Sequence, residues 1–242
     1  MSFEVITFAT HSERMFPQLM DSEYPIKVVG WGVKWDGFHT KIKGVLEYVK
    51  TKNPDDIIVC VDAFDTKISG DPSEAEKLFR DMGCGFLVSK DGGTVHSQVI
   101  FGTCKDGDMA NMGLWMGYVK YIIPILEDIL DNTCKDDQIM FNSVCHKHNY
   151  ICIDTEKIIF SNYSDEGIFN GYPMTMTLED SIKRQIKEML PHYIIHISLV
   201  VYALTILLPK HRKYILAIYI IVFLIFLFKG DKTCMFKQRT NT

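Results

Sequence analysis

The stretch that most constrains the fold is residues 57–66, which read IIVCVDAFDT. Its first five residues are apolar and mostly β-branched, with no polar residue in alternation. A strand that is apolar on both faces belongs in the middle of a sheet covered by helices. Asp62 and Asp65 follow at the carboxyl end of this strand, the edge where open α/β sheets bind ligands. The two carboxylates can bind one hard cation, or they can cap the turn and the next helix.

The residues on either side alternate between short apolar runs and amphipathic stretches. Strands are predicted at residues 3–9, 26–29, 57–61, 86–89, 111–118, 150–153 and 158–160. Helices are predicted at residues 12–20, 38–52, 72–82, 121–130 and 135–146. This alternation favours an α/β domain over residues 1–174, with a mostly parallel sheet and helices on both of its faces.

The composition changes near residue 174. Residues 175–192 read as an amphipathic, basic connecting helix, and residues 229–242 as a basic tail. Between them, residues 193–228 hold two apolar runs, each a little shorter than the ~20 residues of a full membrane span. We expect a C-terminal transmembrane hairpin. The alternative is a hairpin that enters only one leaflet of the membrane. The basic flanks and the missing signal peptide predict a membrane-anchored protein with a cytosolic first domain.

Charge and cysteine usage narrow the function classes. The net charge of −4 and the lack of a basic stripe predict no nucleic-acid partner. The seven cysteines are odd in number and form no CxxC pair, so neither a zinc site nor a disulfide framework is indicated. We expect reduced, partly buried thiols.

Four motifs fall at one edge of the predicted sheet. They are GWGVKWDG at residues 30–37, VDAFD at 61–65, NMGLWMG at 111–117 and KDDQIMF at 135–141. In this order they resemble the glycosyltransferase domain of the procollagen lysyl hydroxylase family and its stand-alone relatives, over residues 28–160. The resemblance implies a GT-A-like, Rossmann-like fold. It also implies a hexosyltransferase that moves a sugar from a nucleotide sugar, UDP-linked, to a glycan or protein acceptor.

The resemblance assigns the donor site residue by residue. Asp62 and Asp65 would hold Mn²⁺ or another divalent cation on the nucleotide-sugar diphosphate. Phe64 would lie beside the base, and Trp35 would border the donor site. Lys41 would meet the diphosphate, although a solvated helix lysine is the alternative. A divalent ion would stabilise the charge that develops on the leaving diphosphate.

The sugar and the acceptor would face Asn111, Asp136 and Asp137, the residues expected to be catalytic. The alternative for the aspartate pair is a charged helix N-terminus. The family closes its metal site with a late histidine, and the nearest match, His196, lies inside the first apolar run. The third ligand is therefore either at the membrane surface or lost, and loss is favoured.

Two other functions remain beside the transferase. One is a catalytically degenerate, membrane-anchored binding or scaffold protein that keeps the GT-A fold. The other is a phosphatase of the haloacid-dehalogenase type, which also begins with an apolar strand and an aspartate. That class needs its second aspartate two residues after the first, where this chain has Phe64, so the match is poor.

Overall fold

The computed structural model describes residues 2–92, 95–132, 134–172, 182 and 190–229. The chain divides into two compact units, Met1–Met174 and Thr175–Thr242. Each unit is described by itself below.

The first unit contains nine strands within its described residues. They are β1 (Phe3–Phe8), β2 (Ile26–Val29), β3 (Ile57–Asp62), β4 (Thr66–Ile68), β5 (Phe86–Lys90), β6 (Ala110–Tyr118), β7 (Ile151–Asp154), β8 (Phe160–Asn162) and β9 (Phe169–Gly171). The helices are α1 (Phe16–Met20), α2 (Phe38–Val49), α3 (Pro72–Met82), α4 (Val95–Phe101), α5 (Val119–Leu130) and α6 (Asp137–Val144), with a 3-10 turn at Cys145–Lys147.

Strand β3 lies inside a six-stranded sheet of order β2-β1-β3-β6-β5-β7. Its apolar residues 57–61 are all 0–1% exposed, which confirms the predicted central strand. The predicted GT-A-like, mostly parallel sheet is corrected to a mixed α/β sheet. Strand β6 runs antiparallel to both β3 and β5. The sequence did not reveal this direction, because a fully buried strand has the same apolar pattern in either direction. A second sheet of order β4-β9-β8 completes the unit.

The second unit contains two helices, α7 (Leu190–Leu207) and α8 (Arg212–Lys229), joined through a 3-10 turn at Pro209–His211. Among the residues described, no helix has both the length and the apolar character needed to cross a membrane. Each helix has 18 residues, or about 27 Å against a hydrocarbon core of about 30 Å. Helix α8 also carries charged residues at both ends.

The predicted C-terminal transmembrane hairpin is therefore wrong, and so is the membrane anchor that depended on it. The apolar runs that suggested them fold as two helices of 18 residues each. The lipid bilayer as a partner stays a prediction. The Ser198 hydroxyl lies 2.8 Å from the Tyr219 hydroxyl across this pair. The predicted basic helix at 175–192 and basic tail at 229–242 lie mostly outside the described residues.

The cysteines differ from the expectation of reduced thiols. Cys84 is bonded to Cys152, and Cys104 to Cys145, while Cys60 is free and buried. The paired residues are 68 and 41 positions apart in the sequence. The first pair is brought together because β5, which begins just after Cys84, pairs with β7, which contains Cys152. Spacing along the chain gives no sign of such pairs.

Replacing Cys84 and Cys152 together by alanine is expected to lower the free energy of unfolding by about 4 kcal/mol, because the bond closes a long loop in the unfolded chain. Urea unfolding of the oxidised proteins measures this difference. Under reducing conditions the wild type and the variant should unfold alike, within about 1 kcal/mol. Equal stability of the two oxidised proteins would contradict the prediction.

Candidate active site

The carboxyl ends of β1 and β3 form the topological switch point of the larger sheet. From β1 the chain passes through α1 to β2 on one side, and then through α2 to β3 on the other side. Crevices of this kind, outside the carboxyl ends of the strands, are where open α/β sheets bind ligands. Phe8 and Asp62, the last residues of these two strands, are paired in register. The loops that follow also meet, with 5.3 Å between the rings of His11 and Phe64.

A buried lysine joins two of the predicted carboxylates at this point. The Lys41 ammonium donates to Asp62 Oδ1 at 2.5 Å and to Asp137 Oδ2 at 3.1 Å. Burial alone would lower the pKa of Lys41, but the charges of Asp62 and Asp137 hold it well above its usual value. Lys41 is therefore a permanent cation with only 6% of its surface exposed. The alternative of a solvated helix lysine is wrong.

Asn111 reaches the same edge because β6 is antiparallel, so its first residues lie beside the last residues of β3. The Gly113 amide donates to Asn111 Oδ1 at 2.7 Å. A Cβ on Gly113 would lie 2.6 Å from Asp62 Oδ2 and 2.8 Å from Asn111 Oδ1. Only glycine allows the backbone to approach both side chains this closely.

Asp65 follows on the other side of the turn. Its carboxyl is partly exposed, and burial together with the negative charge of Asp62 raises its pKa to about 7. Lys41 and Arg14 act in the opposite direction and do not cancel this rise. A carboxyl with this pKa can take up or release a proton near neutral pH.

The two aspartates of the KDDQIMF motif have different environments. Asp136 is the N-cap of α6, where its carboxylate accepts a hydrogen bond from the Ile139 amide at 3.0 Å. Asp137 is buried and pairs with Lys41. Gln138 points to another partner and donates to Asp91 Oδ2 at 2.9 Å. The helix-start alternative therefore describes Asp136, whereas Asp137 belongs to the carboxylate cluster, which we define as Asp62, Asp65 and Asp137 with Lys41.

Two chains of aromatic contacts lead from the carboxylate cluster to exposed tryptophans. Trp35 is 46% exposed, and its ring is 5.6 Å from that of Phe38. Phe38 in turn lies 5.9 Å from the Lys41 ammonium. Phe64, in the turn between Asp62 and Asp65, packs against Phe16 at 6.5 Å, and Phe16 stacks on the exposed Trp31 at 5.4 Å. Flat apolar faces are thus available next to the charged groups.

The prediction of a metal centre is corrected. Within the part of the chain that the structure describes, no group of three or more His, Cys, Asp and Glu side chains could hold a metal ion. The Lys41 ammonium already lies against the oxygens of Asp62 and Asp137. His196 lies in α7, which belongs to the second unit. Burial raises the pKa of Cys60 to about 12, so its thiol is protonated near neutral pH.

The sequence reasoning missed the ion pairs of Lys41 and the contacts of Gly113 and Asp91. One signal for the first was present. Lys41 precedes Val45 and Val49 at intervals of four residues, so it lies on the apolar face of α2. A lysine on that face needs a buried partner of opposite charge. No comparable signal marks Gly113, because the direction of β6 was unknown.

Comparisons with known proteins add little to this geometry. No family model matches the chain, and no curated protein matches it either. Among solved structures, the crystal structure of A197 from STIV is similar over 63% of this chain and 81% of that chain, with a TM-score of 0.41 and 12% sequence identity. Similarity at this level carries no argument, so the function has to be argued from the site.

The Asp65→Asn variant is expected to be more stable than the wild type at about pH 8 and not at about pH 4. The pKa of Asp65 is higher in the native state than in the unfolded state. At pH values between these two pKa values the native state binds more protons than the unfolded state. The stability of the wild type therefore falls as the pH rises from about 4 to 7. An amide does not titrate. The thermal midpoint of Asp65→Asn should exceed that of the wild type by a few degrees at the higher pH only. One kcal/mol of stability corresponds to roughly 2–4 °C in the midpoint.

The matched control for this variant is Asp81→Asn, which removes an exposed carboxylate on α3. As a surface substitution, it should move the thermal midpoint by no more than about 2 °C at either pH. An Asp65→Asn midpoint that also stays level with the wild type at high pH would refute the account of Asp65.

The Lys41→Met variant is expected to lose about 3 kcal/mol of stability. Breaking a buried ion pair costs about 3–5 kcal/mol, and we expect the lower value because the Asp62 side chain is 37% exposed. The loss arises because two carboxylates are left without their cation. Adding Asp62→Asn and Asp137→Asn to this variant should recover most of it. Urea unfolding measures both effects.

Lys43→Met provides the comparison for this experiment, since it removes a lysine of the same helix that is 70% exposed. It should change stability by less than about 0.5 kcal/mol. A Lys41→Met protein as stable as Lys43→Met would show that the buried ion pairs do not support the fold.

Proposed function

We propose that the first unit is a glycosyltransferase of the kind its motifs resemble. It would transfer a sugar from a nucleotide sugar, UDP-linked, to an acceptor hydroxyl. One observation carries the proposal. Residues from separate segments come together at the switch point, with exposed aromatic side chains linked to them through ring contacts. They are Lys41, Asp62, Asp65, Asn111 and Asp137.

The charge of the carboxylate cluster suits the reaction. In glycosyl transfer the bond between the sugar C1 and the phosphate oxygen breaks, and its electron pair leaves with the nucleoside diphosphate. Positive charge then builds on the sugar ring, as in other oxocarbenium-like transition states. Three carboxylates and one ammonium give the cluster a net negative charge when all are ionised. Fixed negative charge near the ring lowers the energy of that transition state.

The remaining roles follow from position. The acceptor oxygen forms the new bond to C1 and loses its proton, and Asp65 is the carboxylate whose pKa suits it to accept that proton. Asn111 offers amide groups to sugar hydroxyls. Phe64 and Trp35 offer faces for the nucleotide base. Because the protein side chains do not fit a metal centre, no step here depends on a metal ion.

A catalytically degenerate binding domain is the second candidate. The observation that favours it is the lack, among the described residues, of the complete set of metal ligands that the resembled family uses in transfer. Such a domain would bind the nucleotide sugar and leave it intact.

The test is an assay of the full chain with UDP-glucose, UDP-galactose and UDP-N-acetylglucosamine. It records thermal stabilisation and the release of UDP, once in Mn²⁺ and once in EDTA. Ligand binding raises the midpoint in proportion to the logarithm of its concentration over Kd. Stabilisation together with UDP release supports the transferase, and stabilisation alone supports the binding domain. Neither effect in either buffer would refute both.

Asp65→Asn is expected to reduce UDP release by about 100-fold or more, as for loss of a catalytic base, while the protein remains folded. Release is measured at about pH 7, near the wild-type pKa of Asp65. Asp81→Asn is again the control and should release UDP at the wild-type rate. Full activity in Asp65→Asn would remove this residue from the mechanism.

A further inference from the structure

A second feature lies beside the carboxylate cluster and has no part in the mechanism above. It is a cavity of about 650 Å³ between the loop that follows β2 and the helix α2. Its apolar wall includes Phe8 and Val33, and its polar wall includes Asp36, Lys43 and Glu47. The volume is within the range of about 300–1,000 Å³ that is usual for ligand pockets.

The cavity adjoins the carboxylate cluster without containing it. Phe8 lines the cavity and is paired in register with Asp62. Backbones of neighbouring strands are about 4.8 Å apart. The part of the cavity wall formed by Phe8 therefore lies one strand away from Asp62.

The polar wall of the cavity carries both hydrogen-bond acceptors and a donor. Asp36 and Glu47 are acids and Lys43 is a base, so the wall is slightly negative. Lys43 Nζ lies 3.9 Å from Glu47 Oε1, and the two side chains are 70% and 68% exposed. Such a hydrated pair is weak, and its groups remain available to a ligand. Two carboxylates that accept and one ammonium that donates suit a neutral ligand rich in hydroxyl groups.

The apolar wall suits the other side of such a ligand. Phe8 and Val33 offer apolar surface, and Trp35 stands next to this wall, with its ring 6.3 Å from that of Phe8. The faces of sugar rings carry C–H groups, which pack well against the negative face of an aromatic ring. Ligand sites typically combine an apolar wall with a few polar groups in this way.

We infer that this cavity binds a neutral oligosaccharide and is the acceptor site of the first unit. Only the acceptor role rests on the proposed transferase function, since binding of the sugar does not require turnover. The substrate class that follows is an oligosaccharide end, with about two or three rings in the cavity, rather than a protein side chain.

The experiment measures binding of neutral tetrasaccharides of glucose, galactose, mannose and N-acetylglucosamine to the full chain, without nucleotide sugar. Titration followed by ligand-observed NMR gives Kd. We expect Glu47→Ala to weaken the binding about tenfold, equivalent to 1.4 kcal/mol. Glu127→Ala is the matched control, because Glu127 also pairs with a lysine, Lys50 just after α2, at 2.7 Å but does not line the cavity. Its binding should equal that of the wild type.

The outcomes separate this inference from the proposed function. Binding that depends on Glu47 supports the cavity, and UDP release that rises with the bound tetrasaccharide supports its acceptor role. No binding of any tetrasaccharide, or equal binding in both variants, overturns the inference even where UDP release persists. Binding that depends on Glu47 without any UDP turnover would instead refute the transferase and the acceptor role, and leave a carbohydrate-binding cavity.

Discussion

The contacts of one buried ammonium hold the candidate site together. Lys41 comes from α2, Asp62 from β3 and Asp137 from α6, so a single side chain links three elements that are far apart in sequence. A lysine this deeply buried stays charged only because both carboxylates surround it. The same contacts fix the two carboxylates in place. Stability of the first unit and the geometry of its site therefore depend on the same charges.

The direction of β6 is the second condition for the site. Were this strand parallel to β3, Asn111 would lie at the opposite edge of the sheet, about 20 Å or more away from Asp62. Because β6 is antiparallel, Asn111 and Gly113 lie against the end of β3. The aromatic residues and the cavity beside Phe8 also lie at this edge. One edge of one sheet thus brings Asn111 and the aspartates of the carboxylate cluster together.

Local patterns predicted the central strand and the edge at which its two aspartates lie, because burial and strand length are local properties. They also contained a signal for the burial of Lys41, which the alternative of a solvated lysine overlooked. Local patterns do not predict which distant segments of the chain pair with each other. The direction of β6 and the bond between Cys84 and Cys152 depend on which strands become neighbours. The apolar runs near the C-terminus suggested membrane spans because hydropathy alone does not distinguish a membrane span from two apolar helices that pack on each other. The assignment of Asn111, Asp136 and Asp137 as catalytic residues stays a prediction.

The bond between Cys84 and Cys152 also affects how the first unit responds to proteolysis. It closes a loop that contains β6, α5 and α6, and therefore both Asn111 and Asp137. A protease that cuts once anywhere within this loop leaves two fragments that remain covalently joined. Asp62 lies on the N-terminal fragment, and the position of the cut decides which fragment carries Asp137. The disulfide keeps the two residues in one molecule in either case. A nicked chain of this kind would migrate as one species on a gel until its disulfides are reduced.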